Sequence, residues 1–174
     1  ALPIFNLLDV LPSANVIFKL GENSNLRAGA TQTVARPNLR EVAPFVQFDN
    51  KNGFFSLGNP GLKRTLIQNY DVRYEWFPKP GELLALSAYA KRFTDPIVQA
   101  FNNTTIPELL FINVPKAEVY GLEFELRKSL EGISPLLKKF QFAGNLSYIY
   151  SRVDIPASEL ATSLDFDSSY AQTA

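Results

Sequence analysis

The chain has 174 residues with a formal net charge of zero and a pI near 6.6, so no overall basic field favours nucleic acid as a partner. His and Cys are both absent, which excludes disulfides, imidazole bases, thiolate nucleophiles and the usual zinc ligands, and with them Ser/His/Asp and Cys/His catalysis. Hydrophobic residues make up 46% and aromatic residues 13%, yet no apolar run reaches the ~18 residues of a membrane helix.

The absence of Met implies that the chain is a segment of something larger, and the first residues lack the charged start and apolar core of a signal peptide. Residues 1–13 are apolar with two prolines and read as a connector into a first strand, residues 15–20. A compact turn at residues 21–25 leads to a returning strand at 26–36, in which Gln32 interrupts an otherwise apolar face of Leu26, Ala28, Ala30 and Val34. Residues 37–68 are a long connection rich in Pro, Asn, Gly and Phe, a length that signals function in a compact domain.

From Asn69 the alternation sharpens. Tyr70, Val72, Tyr74 and Trp76 fall on one face of a strand and Asp71, Arg73 and Glu75 on the other. The turn Pro78-Lys79-Pro80-Gly81-Glu82 reverses the chain into a strand that continues to about Thr94, although residues 83–90 are apolar on both faces. A second long connection, residues 95–115, precedes a strictly alternating strand at 116–129, with Tyr120, Leu122, Phe124 and Leu126 opposed to Gly121, Glu123, Glu125 and Arg127. After a shorter turn at 130–139, residues 140–152 alternate again, with Phe140, Phe142, Leu146, Tyr148 and Tyr150 on one face. Beyond Ile155 the chain is small and polar and reads as a loop.

Three features make this all-β antiparallel meander of about six strands part of a large transmembrane barrel. Short turns and long connections alternate, so one end of the sheet is trimmed and the other elaborated, as in outer-membrane barrels. Aromatic residues gather at strand ends, and the ten steps from Phe140 to Tyr150, at ~3.3 Å each and a tilt of ~40°, rise about 25 Å, the height of the apolar band of such barrels. Charges on the other face suit a wet lumen better than a dry core. Lumen lining is therefore assigned to Asp71, Arg73, Glu75, Glu123, Glu125 and Arg127, and lipid contact to Tyr70, Tyr74, Trp76, Phe124, Phe142, Tyr148 and Tyr150. The competing architecture is a soluble, lectin-like β-sandwich, which satisfies the same alternation.

Several motifs bear on relationship. Residues 35–45 (Ala-Arg-Pro-Asn-Leu-Arg-Glu-Val-Ala-Pro-Phe), Gly58-Asn59-Pro60-Gly61-Leu62-Lys63 before Asn69-Tyr70-Asp71, and residues 117–125 (Ala-Glu-Val-Tyr-Gly-Leu-Glu-Phe-Glu) resemble, in order and spacing, the late barrel of TonB-dependent outer-membrane receptors. Tyr89, Lys91, Phe93, Asp95 and Ile97 are similar to a strand end of that family, and the turn with Pro78, Pro80 and Gly81 is most similar to members carrying an N-terminal carboxypeptidase-regulatory-like domain. The resemblance covers nearly the whole chain.

It implies a barrel of ~22 strands with a plugged lumen in the outer membrane of a Gram-negative bacterium. Such a receptor binds a scarce nutrient outside and imports it with energy delivered through TonB. The implied partners are outer-membrane lipid, the remainder of the barrel and the plug, TonB through an N-terminal part outside these residues, and a surface lipoprotein. No cofactor, metal or nucleic acid is implied. These 174 residues hold no plug, no TonB-contacting box and no closing aromatic strand, so residues 1–174 are expected to be a barrel fragment.

Other chemistry weighs less. Glu123 and Glu125 could pair as in glycoside hydrolysis, but lumen lining accounts for them, and no enzyme is expected. Asp49-Asn50-Lys51-Asn52-Gly53 lacks the Glu that a calcium loop requires and is taken as a turn. Asp165-Phe166-Asp167 is taken as a solvated loop, and the sequons at Asn103 and Asn145 carry no weight. In the first long connection Arg36, Arg40, Lys63 and Arg64 could attract an anion. Arg40 with Phe45, Phe48, Phe54 and Phe55 forms the candidate ligand-contacting set, and packing of the loop on itself is the competing, leading reading of the four phenylalanines.

Overall fold

The fold was established from a computed structural model, which describes residues 8–50, 53–102 and 108–155. Six long strands form an antiparallel meander: β1 (Ser13–Gly21), β2 (Ser24–Ala35), β5 (Thr65–Trp76), β6 (Leu83–Thr94), β9 (Lys116–Ser129) and β10 (Gln141–Asp154), in the spatial order β1-β2-β5-β6-β9-β10. The sheet is open, with β1 and β10 at its edges. Among the described residues no helix is long and apolar enough to cross a membrane.

Apart from the register shift at the β1–β2 turn, where Gly21 opposes Ser24, odd-numbered residues oppose odd-numbered ones in every adjacent pair, so the two faces keep their identity across all six strands. One face carries Arg27, Asp71, Arg73, Glu75, Glu123, Glu125 and Arg127. The other carries Tyr70, Tyr74, Trp76, Phe124, Phe142, Tyr148 and Tyr150, all substantially exposed. The double apolarity of residues 83–90 has a packing reason. On the charged face Ala85 and Ser87 are buried, and such small side chains leave room for longer ones to reach across β6.

The long connections are not plain loops. Residues 36–64 hold a one-turn helix, α1 (Leu39–Val42), and two short strands, β3 (Val46–Asp49) and β4 (Phe54–Leu57), while the second connection holds β7 (Ile97–Asn102) and β8 (Glu108–Asn113). These four strands form a second sheet in the order β3-β4-β8-β7, with β4 and β8 parallel and the other pairs antiparallel. Its small core is Val42, Leu62, Leu109 and Phe111, with Phe54 and Ile97 packed against it. The expected strand start at Asn69 therefore moves back to Thr65, and loop composition gives way to a mixed sheet because two segments far apart in the chain supply the partners that neither has locally.

Turn chemistry follows the residues. Lys79-Pro80-Gly81-Glu82 closes a β-turn, with Glu82 N–H donating to Lys79 C=O at 2.9 Å. Gly81 at φ 83° takes the left-handed position that a proline-led type II turn requires. The stretch 130–140 forms two single 3-10 turns, Leu130–Gly132 and Pro135–Leu137, each opened by a serine that accepts from the backbone two residues on. The sequon at Asn103, the expected loop after Ile155 and Asp165-Phe166-Asp167 lie outside the described residues.

Candidate functional site

Register brings the charged residues into one ladder. Arg27 on β2 lies directly opposite Arg73 on β5, an arrangement of like charges that needs an acid between them. Glu75, 8% exposed, supplies it, binding Arg27 Nε through Oε2 at 2.8 Å and Arg73 Nε through Oε1 at 2.9 Å. Arg73 then crosses β6, donating to Ser87 Oγ at 3.0 Å, and reaches Glu125 Oε2 on β9 at 2.8 Å. Glu125 Oε1 is held by Arg127 Nη2 at 2.7 Å. The result alternates in sign, Arg27, Glu75, Arg73, Glu125, Arg127, and spans four strands.

Four of the six expected lumen residues thus belong to one network. Asp71 and Glu123 share its face and make no ion pair among the described residues. Asp71 lies against Gly29, where a Cβ would come within 2.6 Å of its carboxylate. Arg27 and Ser87 were missed, because their membership depends on register rather than on their own strand's pattern. Both Glu125 oxygens are taken by guanidinium groups, which leaves no free carboxylate to pair with Glu123 in acid-base work.

The opposite face arranges its apolar residues in rows that cross the strands. One row is Ala30, Tyr70, Ala90, Tyr120 and Tyr150, and another is Leu26, Tyr74, Leu86, Phe124 and Leu146. From Phe142 to Tyr150 the band is eight steps long, about 20 Å at the usual rise of ~3.3 Å and a tilt of ~40°.

A second site lies in the four-stranded sheet. A cavity of about 310 Å³ is lined by Asn38, Arg40, Glu41, Phe54, Gln99, Leu109 and Phe111. The Glu41 carboxylate is committed to the Asn38 N–H at 2.8 Å, while Asn38 Oδ1 accepts from the Glu41 N–H, a capping box that opens α1. Arg40 and Glu41 thus bring one cation and one anion to the lining of the cavity. Asn59 fastens the walls, donating from Nδ2 to Phe111 C=O at 3.0 Å and from its backbone N–H to Glu41 C=O at 2.6 Å. Of the expected ligand-contacting residues, Arg40 and Phe54 line this cavity, whereas Phe45, Phe48 and Phe55 do not. Phe48 and Phe55 pack against each other with ring centroids 5.0 Å apart and planes tilted by 53°. Gln99, Leu109 and Phe111 come from the second connection and were not anticipated there.

The short turns are tied together at the other end. Phe77 N–H donates to Asn23 C=O at 2.8 Å, Gln141 Nε2 to Gly81 C=O at 2.6 Å, and the buried Glu82 carboxylate accepts from Lys128 Nζ at 2.9 Å and from the Ser129 N–H at 3.3 Å. The Lys128 ammonium, foremost, holds the Glu82 carboxyl below the usual carboxylate range against the opposing effect of burial.

Comparison with known proteins places this architecture. No protein of curated function matches the chain. Among solved structures it is similar to the siderophore receptor PirA of Pseudomonas aeruginosa, at 24% identity and a TM-score of 0.69, covering 83% of this chain and 28% of that one. It is similar also to the ferric enterobactin receptor PfeA of the same organism, whose R480A mutant in complex with enterobactin matches at 23% identity and a TM-score of 0.60, over 80% of this chain and 22% of that one. PirA of Acinetobacter baumannii matches at 19% identity and a TM-score of 0.58, again over 80% of this chain and 22% of that one. The chain thus spans about a quarter of the length of these receptors, and the likeness is one of fold. The family model for the TonB dependent receptor-like beta-barrel matches residues 5–173, and the chain belongs to that family.

Proposed function

We propose that these residues form part of the barrel wall of an outer-membrane receptor that captures a scarce nutrient outside the cell and imports it with energy delivered through TonB. The observation that carries this reading is the sheet's two-sidedness: a connected charge ladder on one face and an aromatic band about 20 Å high on the other. Asp71, Arg73, Glu75, Glu123, Glu125 and Arg127 line the lumen against the plug. Tyr70, Tyr74, Trp76, Phe124, Phe142, Tyr148 and Tyr150 meet lipid. Relatives of this family are receptors and transporters of the Gram-negative outer membrane rather than enzymes.

The nutrient in this reading is an anionic ferric chelate carrying aromatic rings. Two things support that choice: the similar solved structures are named as siderophore and ferric enterobactin receptors, and the cavity counts Arg40 together with Phe54 and Phe111 among its lining residues, a cation and two aromatic rings around one space. The test uses the complete receptor and ferric enterobactin as probe, with binding read by quenching of intrinsic fluorescence and uptake by radio-iron. Arg40→Ala is expected to weaken binding about tenfold, the worth of one charge-assisted contact. A protonophore is expected to stop uptake and leave binding intact. Equal affinity for an uncharged ligand of the same size overturns the substrate assignment, and uptake that ignores the protonophore overturns energy coupling.

A further inference from the structure

At the end of the sheet opposite the long connections, residues 22–23 and 77–82 link their strands tightly, whereas residues 130–140 make a longer excursion between β9 and β10. That excursion carries the most exposed apolar side chains of this end, Leu136 at 91% and Ile133 at 76%. Phe140, also exposed, stands two residues before Phe142 and leads from the turn into the aromatic band.

The backbone of the excursion is closed on itself. Leu130 N–H donates to Phe140 C=O at 3.0 Å and Phe140 N–H to Leu137 C=O at 2.9 Å, while the Ile133 and Ser134 N–H groups both reach Leu130 C=O. Leu137 N–H donates to Ser134 C=O and Lys138 N–H to Pro135 C=O, and the Ser129 and Ser134 hydroxyls accept from the Glu131 and Leu136 N–H groups. A turn in water has no need of such closure, since water satisfies any free N–H; against an apolar medium an unsatisfied N–H is costly. Exposed apolar tips and a self-satisfied backbone are separate properties, and both suit a medium of low polarity. The base of the excursion is fastened to the neighbouring turn, Ser129 N–H on the Glu82 carboxylate and Gln141 Nε2 on Gly81 C=O, so the tips are held beside the band.

Two cations border the tips. Lys138 lies 3.7 Å from Glu131, beyond hydrogen-bond reach, and Lys139 makes no ion pair among the described residues. With Glu131 as its one carboxylate, the excursion carries a surplus positive charge.

We propose that residues 130–140 are a foot on the periplasmic leaflet of the outer membrane, with Ile133 and Leu136 set into the boundary of headgroups and acyl chains and Lys138 and Lys139 on the phosphates of an anionic phospholipid. This rests on the barrel reading, which puts the short turns on the periplasmic side. The occupant is a phospholipid rather than a periplasmic protein because the tips continue the band that meets lipid, and because apolar tips flanked by surplus lysine form the composition that settles in an anionic membrane surface.

The experiment places a nitroxide on Leu136→Cys in the complete receptor, reconstituted in vesicles of phosphatidylcholine with or without phosphatidylglycerol. Collision with oxygen, which partitions into lipid, is read against collision with a nickel chelate, which stays in water. A label on Glu22→Cys, in the tight first turn, is the water reference, and one on Leu86→Cys, within the aromatic band, is the lipid reference. The label at 136 is expected to meet the chelate about fivefold less often than the label at 22, as befits a side chain ~5–10 Å into the interface. In K138Q/K139Q its oxygen preference in phosphatidylglycerol vesicles is expected to fall to the value in phosphatidylcholine alone, since the attraction of the two lysines to an anionic surface is removed.

Chelate collision at 136 equal to that at 22 overturns the proposal. So does exclusion of both oxygen and chelate, which would mean a protein seated on the turn, and an oxygen preference that K138Q/K139Q leaves unchanged removes the anionic headgroup from it. Should the label at 136 disturb the barrel, as read by heat-modifiable gel mobility, Ile133→Cys carries the same test. Chelate access at 86 as free as at 22 would instead sink the barrel reading.

Discussion

Gly58 shows how a single missing side chain holds the second sheet together. A Cβ there would meet the Ala43 carbonyl oxygen at 2.1 Å and the Arg40 carbonyl oxygen at 2.9 Å, both backbone atoms that cannot swing aside. Gly58→Ala is expected to cost about 1–3 kcal/mol through overpacking and to expose the long connections to protease in the folded receptor. Gly121 makes a useful contrast. The atoms nearest its added Cβ all belong to the ring end of the Tyr89 side chain, which can turn aside where a backbone carbonyl cannot, so Gly121→Ala should leave proteolysis of the long connections nearly unchanged.

Glu82 offers a residue-scale test of electrostatics. Its carboxyl titrates below the ordinary value of 4.5 in the folded turn, so the opened turn binds the proton more readily and acid favours opening. The clamp on Lys128 and Ser129 is fully present above pH 4.5 and is lost as pH falls through the depressed value. The protection of the Ser129 amide, its exchange rate measured against the intrinsic rate at each pH, is expected to fall over that acidic window in the unaltered receptor. In Glu82→Gln that protection should be lower throughout and nearly constant with pH.

At the scale of elements, the ladder makes an asymmetric prediction. Removing either outer arginine, Arg27 or Arg127, leaves each glutamate still paired, and so does removing Arg73. Removing Glu75 instead leaves Arg27 and Arg73 facing each other across adjacent strands with nothing between them. Glu75→Gln should therefore destabilise the barrel by about 1–3 kcal/mol, more than Arg73→Gln, as read by the temperature at which the heat-modifiable gel shift is lost. The reverse order would mean that Arg73 holds β5, β6 and β9 together mainly by packing over Ala85 and Ser87.

At the scale of the whole molecule, the aromatic face supplies the check on membrane placement. Leu86 lies midway down the band, in a row with Leu26, Tyr74, Phe124 and Leu146, whereas Gln68 lies in a polar row beyond the tyrosines. In a bilayer Leu86→Arg is expected to cost about 2–4 kcal/mol and Gln68→Arg about 0–1, measured as the loss of folded receptor in vesicles over a urea series. Equal costs at the two positions would mean that the face does not cross the hydrocarbon layer.

Most of the meander was legible in the residues because period and turn chemistry are local. Strand β9 starts and ends where strict alternation does, at Lys116 and Ser129, and β6 ends at the expected Thr94 despite its weak alternation, since the proline-glycine turn fixes where it starts. The second sheet was not legible. Phe55 pairs in parallel with Glu108 from the other connection, and nothing within four residues of either position encodes a partner some fifty residues away. The same holds for the ladder. Alternation puts Arg27, Arg73 and Glu125 on one face of their strands, but which residues meet depends on how neighbouring strands slide past one another. Period and turn chemistry were thus enough for two-faced antiparallel strands, and the series of motifs for the resemblance to the family. Register, a property of strand pairs, decided which charges neutralise one another, where the apolar band stops, and that two unpatterned connections close around one cavity.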